Sequence, residues 1–391
     1  MNLRYLALAF CGGTAFLDMY ATQPLLPKFR TLFHASEADV GATISALVFA
    51  CALAAPFIGP LADRIGRKRI IVSSIAILAL VTFGAASAST LGQLVAWRFA
   101  QGLLMPGVFA VTLAYIAEEF PVSSAGRAVG AYIGGNVFGG FLGRYVTAIV
   151  TPQANWQTAF VVLGALNLLG ALFVFVALPR AKKFRASASL RESIAAIPGF
   201  FRNSAMLATY VVGGTILFTL TATFTYATFY LAGAPFDLST AALGNVFFVY
   251  LAGAVAAPIS GRLIDRYGNR FTLTLAMVGS ACGIVLTLVH ALSVIVIGLA
   301  LTSTGVFVAQ AASQGYIGRI AGAQRSTAAA LYLTFYYGGG GLGAIVPAIA
   351  WTRGGWPATV GLIVAIQLCA IIITRTFWSA RIAGESPIAA T

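Results

Sequence analysis

Gly59-Pro60-Leu61-Ala62-Asp63-Arg64-Ile65-Gly66-Arg67-Lys68-Arg69 recurs 202 residues later as Gly261-Arg262-Leu263-Ile264-Asp265-Arg266-Tyr267-Gly268-Asn269-Arg270. Each copy lies in a short gap between two long apolar stretches. Other landmarks repeat at nearly the same offset. Ala128–Tyr132 and Gly139–Gly143 match Ala328–Tyr332 and Gly339–Gly343, Asn155-Trp156 matches Gly355-Trp356, and Gly107–Phe109 matches Gly305–Phe307. The chain therefore reads as two related halves.

Hydrophobic residues make up 59% of the chain and charged residues 9%, with a mean hydropathy of +0.91. A soluble domain carries about 25% charged residues, so this chain is built to sit in lipid. A spanning helix needs about 20 apolar residues. Twelve candidates fit: 3–25, 39–62, 69–89, 91–117, 126–150, 156–179, 203–232, 240–261, 271–291, 293–318, 326–351 and 356–378. The expected organisation is a six-helix bundle over 1–179, a basic linker over 180–202 and a second six-helix bundle over 203–391. Little chain is left over, so no sizeable soluble domain is expected.

The formal net charge is +14. With the N-terminus in the cytoplasm, 19 of the 24 Lys and Arg residues face the cytoplasm. The exceptions are Lys28, Arg30 and Arg353 outside, and Arg98 and Arg144 within spans. This is the positive-inside asymmetry, so nucleic acid is not an expected partner. The N-terminal apolar run is too long for a signal peptide and contains Asp18. Cys11, Cys51, Cys282 and Cys369 fall inside spans without metal-ligand spacing. Gly338–Gly343 matches a dinucleotide fingerprint literally, but no strand precedes it. No enzyme, metal or cofactor is expected.

Gly59–Arg69 resembles the signature loop of the major facilitator superfamily, with Gly261–Arg270 as its counterpart in the second half. Arg98-Phe99-Ala100-Gln101-Gly102, followed by Pro106-Gly107, resembles the family's fourth-helix motif. Gly135-Asn136-Val137-Phe138-Gly139-Gly140 resembles the fifth-helix antiporter motif, with Asn136 where the family has proline. Asp18–Pro27 is similar to the first-helix ending of drug- and arabinose-efflux-like members. The resemblance implies an all-helical fold of two pseudo-symmetric six-helix bundles, a central cavity and alternating access. It implies proton-coupled efflux of small organic compounds or drugs, by a multi-pass inner-membrane monomer with both termini in the cytoplasm. Export of a sugar or organic-acid metabolite is the alternative, and a lipid or lysolipid flippase is a third reading.

Residue chemistry assigns roles within that frame. Gly59 and Gly66 permit close approach and a tight turn, and Asp63 suits a neighbouring helix N-terminus. Arg64 and Arg67 can reach Glu118 or Glu119. By symmetry Asp63 is expected near Arg325, and Asp265, with Arg266, near Arg127. The gating set is Gly59, Asp63, Arg64, Gly66, Arg67, Glu118, Glu119, Arg127, Asp265, Arg266 and Arg325.

A charge inside a span is costly and usually functional. Asp18 lies about 15 residues into the first segment, or about 22 Å along it, at the depth of Arg98 and Arg144. Asp18 and Arg98 are therefore expected to form the proton-coupling pair, unless Asp18 only neutralises Arg98 or caps a helix end. Arg144 lines a cavity or extends its long side chain outward. The expected substrate cavity comprises Tyr20, Gln101, Asn136, Arg144, Thr225, Tyr226, Gln310, Gln314 and Tyr336, an apolar site with scattered hydrogen-bonding groups. Its partners are a small molecule, protons and the lipid bilayer.

Overall fold

The computed structural model describes residues 3–181, 199–321 and 325–379, and every regular element there is a helix. Most of the basic linker and Arg381 lie outside the described residues, as does the side chain of Arg325. The first half comprises α1 (Leu3–Met19), α2 (Glu37–Ile65), α3 (Arg67–Ala86), α4 (Leu91–Glu119), α5 (Val122–Gln153) and α6 (Trp156–Ala177). The second begins with α7 (Ser204–Ala232). Helix α8 starts at Thr240–Val246 and resumes at Val249, in a stretch that runs to Leu286 with a bend at Gly268. The part beyond the bend is α9. Helices α10 (Leu292–Ile320), α11 (Arg325–Ile345) and α12 (Ala348–Phe377) complete the twelve crossings.

Eight of the described helices are long and apolar enough to cross a bilayer by length and composition. Helix α1 falls short because it stops at 17 residues, and α5 and α11 are diluted by glycine and polar side chains. Helix ends follow local chemistry. Ser36 and Asp39 form a reciprocal capping box at the start of α2, and Asn155 caps α6 by accepting from Thr158 N. The two loop copies share their turn geometry: Gly66 has φ +103° and Gly268 has φ +79°, conformations that an L side chain rarely adopts. The twelfth segment bends at Gly354 and Gly355 just before Trp356, where the expected twelfth span begins.

Small residues set the packing. Gly135, Gly139 and Gly143 of α5 lie one turn apart, and a Cβ on each would strike the α1 backbone at Ala9, Gly13 and Leu17 in turn. Lipid offers little hydrophobic drive between helices, so such close approach is what holds a pair together. The second half repeats the device: Gly339 and Gly343 of α11 pack on the backbone of Gly214 and Phe218 of α7. Leu168, Leu169, Leu172, Phe175 and Val176 form an exposed stripe on α6, the pattern of a lipid-facing surface.

Between halves, α2 runs along α11. Gly41 abuts Ala344, Ser45 donates to Gly341 O at 2.7 Å, and Thr334 donates to Ala52 O at 3.4 Å. Helix α5 meets α8 where Gly244 packs on Ala148. At the same end Glu37 accepts from Arg30 at 3.1 Å and from Trp351 Nε1 at 3.2 Å, tying α2 to α12. Most of these contacts lie toward the end opposite the basic loops, and the Thr334–Ala52 bond lies midway along both helices. Farther along α2, Leu53, Phe57, Leu61 and Ile65 are exposed on one face.

The glycine ladder makes a differential prediction. Gly139→Ala should lower the thermal unfolding temperature in detergent, through overpacking of about 1–3 kcal/mol. Gly130→Ala meets open space on the same helix and should be neutral or stabilising by up to ~1 kcal/mol. Equal unfolding temperatures for the two variants would show that the seam does not hold the bundle.

Candidate functional site

The site is organised by an interruption in α1. The expected first span ran to residue 25, whereas the helix stops at Met19 and restarts as a 3-10 turn at Gln23–Leu25. Pro24 has no N–H to continue the ladder, and turn bonds take over, from Ala21 N to Asp18 O and from Gln23 N to Tyr20 O. The freed carbonyls need partners, because an open backbone group in a membrane interior is expensive. Arg98 Nη2 donates to Met19 O at 2.8 Å and Thr147 Oγ1 donates to Ala21 O at 2.7 Å. Thr43 Oγ1 donates to Thr22 Oγ1 at 3.2 Å. Helices α2, α4 and α5 therefore all hold the broken turn.

Asp18, on one side of that turn, is fully buried inside the first bundle. Its Oδ2 accepts from Thr82 Oγ1 of α3 at 3.0 Å and from Asn167 Nδ2 of α6. Its Oδ1 is buried without a donor. Arg98 is fully buried as well; it makes no salt bridge with Asp18 but lies close enough for the two charges to interact. Its Nε donates to Thr43 O at 3.0 Å and its Nη1 donates to Gln101 Oε1 at 2.6 Å. Gln101 Nε2 then donates to Thr82 Oγ1 at 2.8 Å. Two neutral side chains, Gln101 and Thr82, thus connect the two charges by hydrogen bonds. Gln101 belongs to this relay and not to the cavity lining expected for it.

Arg144 lies on the other side of the turn. It is 1% exposed, which excludes the outward-extended conformation. Its Nε donates to Gln23 Oε1 at 2.7 Å and its Nη1 to Gly140 O at 2.6 Å. Its guanidinium carbon stands 4.7 Å from the Tyr20 ring centroid, 4.3 Å from Tyr250 and 5.1 Å from Phe247. Gln23 Nε2 continues to Thr225 Oγ1 at 3.4 Å. Tyr250, Phe247 and Thr225 come from the second half, so Arg144 sits where the two halves meet.

Of the other expected cavity residues, Tyr336 hydrogen-bonds with Gln310 and lies near Tyr20 and Tyr250, whereas Asn136 and Tyr226 bind backbone elsewhere. Asn136, with its amide turned to suit its neighbours, donates to Tyr132 O at 3.2 Å and Gly12 O at 3.3 Å, within the α1–α5 seam. Tyr226 donates to Ala344 O at 3.2 Å and packs on Trp351. Tyr336 is buried against Tyr332 and Tyr337, and Tyr337 meets Phe109 of the first half. Gln310 is half-buried and Gln314 is exposed.

Of the loop residues, Arg67 bridges Asp63 at 2.7 Å and Glu118 at 2.7 Å, tying the loop to α4. Arg64, Arg127 and Asp265 are exposed, Glu119 is half-buried, and Arg266 lies 5.2 Å over Tyr267. Asp63 thus pairs within its own half in this state. A Cβ on Gly59 would meet open space, so close approach does not explain that glycine here. In the second copy Asn269 replaces Arg67, and its amide donates to Ala312 O of α10 at 2.7 Å, a neutral version of the same tie.

Thr82, Asn167, Gln23, Tyr250 and Phe247 escape the sequence reading. Asn167 had a usable signal, being the one amide deep in the apolar run of α6. Gln23 sits inside the Asp18–Pro27 stretch. Tyr250 and Phe247 look like ordinary membrane aromatics, and only the meeting of the halves singles them out.

Comparison with known proteins places the chain in its family. The family model for the Major Facilitator Superfamily matches residues 8–250 and 230–389, and the chain belongs to that superfamily. A transporter of Buchnera aphidicola subsp. Schizaphis graminum is 30% identical over 374 residues, covering 95% of this chain and 91% of its own. The inner membrane transport protein YnfM of Escherichia coli (strain K12) is 29% identical, with 95% and 89% covered. Among solved structures, a mutant of the nucleoside transporter NupG superposes with a TM-score of 0.79 at 16% identity, with 97% and 100% covered. A bacterial homolog of the human lysosomal transporter Spinster, inward-facing and occupied, gives 0.77 at 17% identity, with 97% and 98% covered. The chain is a multi-pass membrane transporter with the major facilitator fold.

The relay carries its own test. Arg98→Gln leaves Asp18 as an uncompensated buried charge and should destabilise by roughly 3–5 kcal/mol. The double variant Asp18→Asn with Arg98→Gln should recover part of that loss, since no charge is then left alone. A double variant whose unfolding temperature equals the sum of the two single losses would mean that the two residues are energetically independent.

Proposed function

We propose that this chain moves small organic compounds across the membrane by alternating access, coupled to protons taken up and released at Asp18. The observation that carries the reading is the Asp18 network. The sole acid in the interior of the spans is fully buried, has neutral neighbours and keeps one oxygen without a donor. Thr82 supplies a two-state element. Its single hydroxyl proton has two acceptors in reach, Asp18 Oδ2 at 3.0 Å and Leu78 O at 2.8 Å. With Asp18 ionised, the hydroxyl points to the carboxylate. With Asp18 protonated, the acid donates to Thr82 and the hydroxyl swings to Leu78. Gln101 and Arg98 sense that change, and Arg98 holds Met19 O at the broken turn. The protonation state is thereby linked to the element that also carries Tyr20 and Gln23.

The glycine seams and the duplicated loop support a rocking motion of one bundle against the other. Contacts at the end opposite the basic loops, together with open space at Gly59, Gly126 and Gly261, support a cavity that opens toward the basic-loop end. Asp63 then meets the start of α11 only in the opposite state, with the Arg67–Glu118 tie holding the loop ready. The efflux direction, an exchange of compound for proton, is supported by the likeness of residues 18–27 and 135–140 to efflux members. The charge asymmetry supports cytoplasmic termini in an inner membrane, and a monomer suffices for the mechanism. A second reading, transport of an organic acid, is favoured by Arg144.

Reconstituted protein in liposomes with an imposed pH gradient tests the coupling. The wild type should move protons when substrate is added and should accumulate substrate against its gradient. Asp18→Asn should fall to the level of empty liposomes in gradient-driven transport while keeping substrate binding. Undiminished proton-driven transport by this variant would overturn the assignment.

A further inference from the structure

We infer that the transported compound is an organic monocarboxylate with a flat apolar body, and that its carboxylate docks on Arg144. This rests on the transporter reading and adds its substrate class. Arg144 forms no ion pair, although it is 1% exposed inside a membrane protein. A buried cation without a counter-ion is expensive, so its retention points to a partner that comes and goes.

The free edge of the guanidinium shows where that partner binds. Aromatic rings cover its faces. Nε is committed to Gln23 and one Nη1 proton to Gly140 O, while Nη2 is buried with no acceptor. The remaining Nη1 proton and the Nη2 protons form the outward edge of the fork, which suits the two oxygens of a carboxylate. Tyr20, one of the rings against Arg144, has its buried hydroxyl beside Thr221 of the second half. A carboxylate on the open guanidinium edge would therefore sit in an enclosure shared by the two halves. Around it Tyr250 and Phe247 offer aromatic walls that favour a planar body over a sugar or a long flexible chain.

Charge selects among the anions. Asp18 and Arg98 already balance each other through the Gln101–Thr82 relay, so Arg144 leaves a single net positive charge at the meeting of the halves. One negative charge neutralises it and a dianion overshoots, which favours a carboxylate over a phosphate monoester.

Thermal-shift measurements on the full-length protein in detergent test this without any variant. The probes are benzoate, cinnamate and 2-naphthoate, each against its uncharged amide, with phenyl phosphate as the phosphate arm. At least one acid should raise the unfolding temperature in a saturable way while its amide does not. Amides equal to acids, no response to any acid, or a response to phenyl phosphate alone would each overturn the inference. The last two would reduce Arg144 to a clamp between the halves or to a phosphate site. For the responding acid, Arg144→Gln should weaken binding at least ~10-fold and Arg144→Lys less so. If acids bind but proton-driven transport survives Asp18→Asn, the coupling proposal fails and this inference stands. If proton-driven transport of another compound is found and no acid binds, this inference fails and the coupling proposal stands.

Discussion

The broken turn between Asp18 and Gln23 is the constraint on which the rest of the site depends. A membrane helix cannot stop in mid-bilayer unless something accepts or donates to the groups it leaves open. Here the stop is forced by Pro24, and the freed carbonyls are claimed by Arg98 and Thr147. Those two donors come from different helices, so the turn cannot shift without disturbing α4 and α5. The interruption also turns the chain. Asp18 points into the first bundle, while Tyr20 and Gln23 point toward the second half. One short segment thus presents an acid to one compartment of the structure and a ligand-facing aromatic and amide to the other.

That arrangement offers a short physical route for coupling. Long-range allostery needs a chain of contacts with two discrete arrangements. Asp18 and the partner of Arg144, Gln23, are joined by the short broken turn itself, whose two ends are held by Arg98 and Arg144. The Thr82 hydroxyl is the discrete element, because one proton cannot serve two acceptors at once. Among the described residues, this equipment is confined to the first half. In the second half, apolar Leu299 fills the core of α10, while Gln367 makes a neutral bond to Ser280. The duplication therefore preserved the scaffold and let the chemistry diverge, a division also visible in the replacement of Arg67 by Asn269 at the second loop.

The sequence carried the scaffold well for physical reasons. Lipid demands long apolar runs, so spans are visible. Repeats are visible because each half must solve the same packing problem. The positive φ of Gly66 and Gly268 follows from a sharp turn that only glycine takes freely. The fine structure of the site was less legible. Asp18 and Arg98 stand out as charges, but nothing in their spacing reveals that Gln101 and Thr82 stand between them. Asn136 looks like a polar cavity residue, and its neighbours Gly135 and Gly139 instead pull it into the α1 seam. Arg144 could have reached an interface from its depth. Its inward turn depends on Gly140, whose carbonyl it binds, and on aromatics about 100 residues away in sequence.

The contrast between Arg98 and Arg144, the two arginines buried within spans of the first half, is the most informative chemical fact in the molecule. Arg98 donates through Nε, Nη1 and Nη2, two of the three bonds going to the backbone carbonyls of Thr43 and Met19. Its charge is balanced within the bundle, and its bonds hold the broken turn. Arg144 makes two such bonds and leaves Nη2 open in an aromatic enclosure drawn from both halves. The first is complete without a ligand, and the second is not. An alternating-access carrier needs such an incomplete site at the junction of its bundles. A partner that completes it joins the halves, and a partner that departs leaves a buried charge that favours their separation.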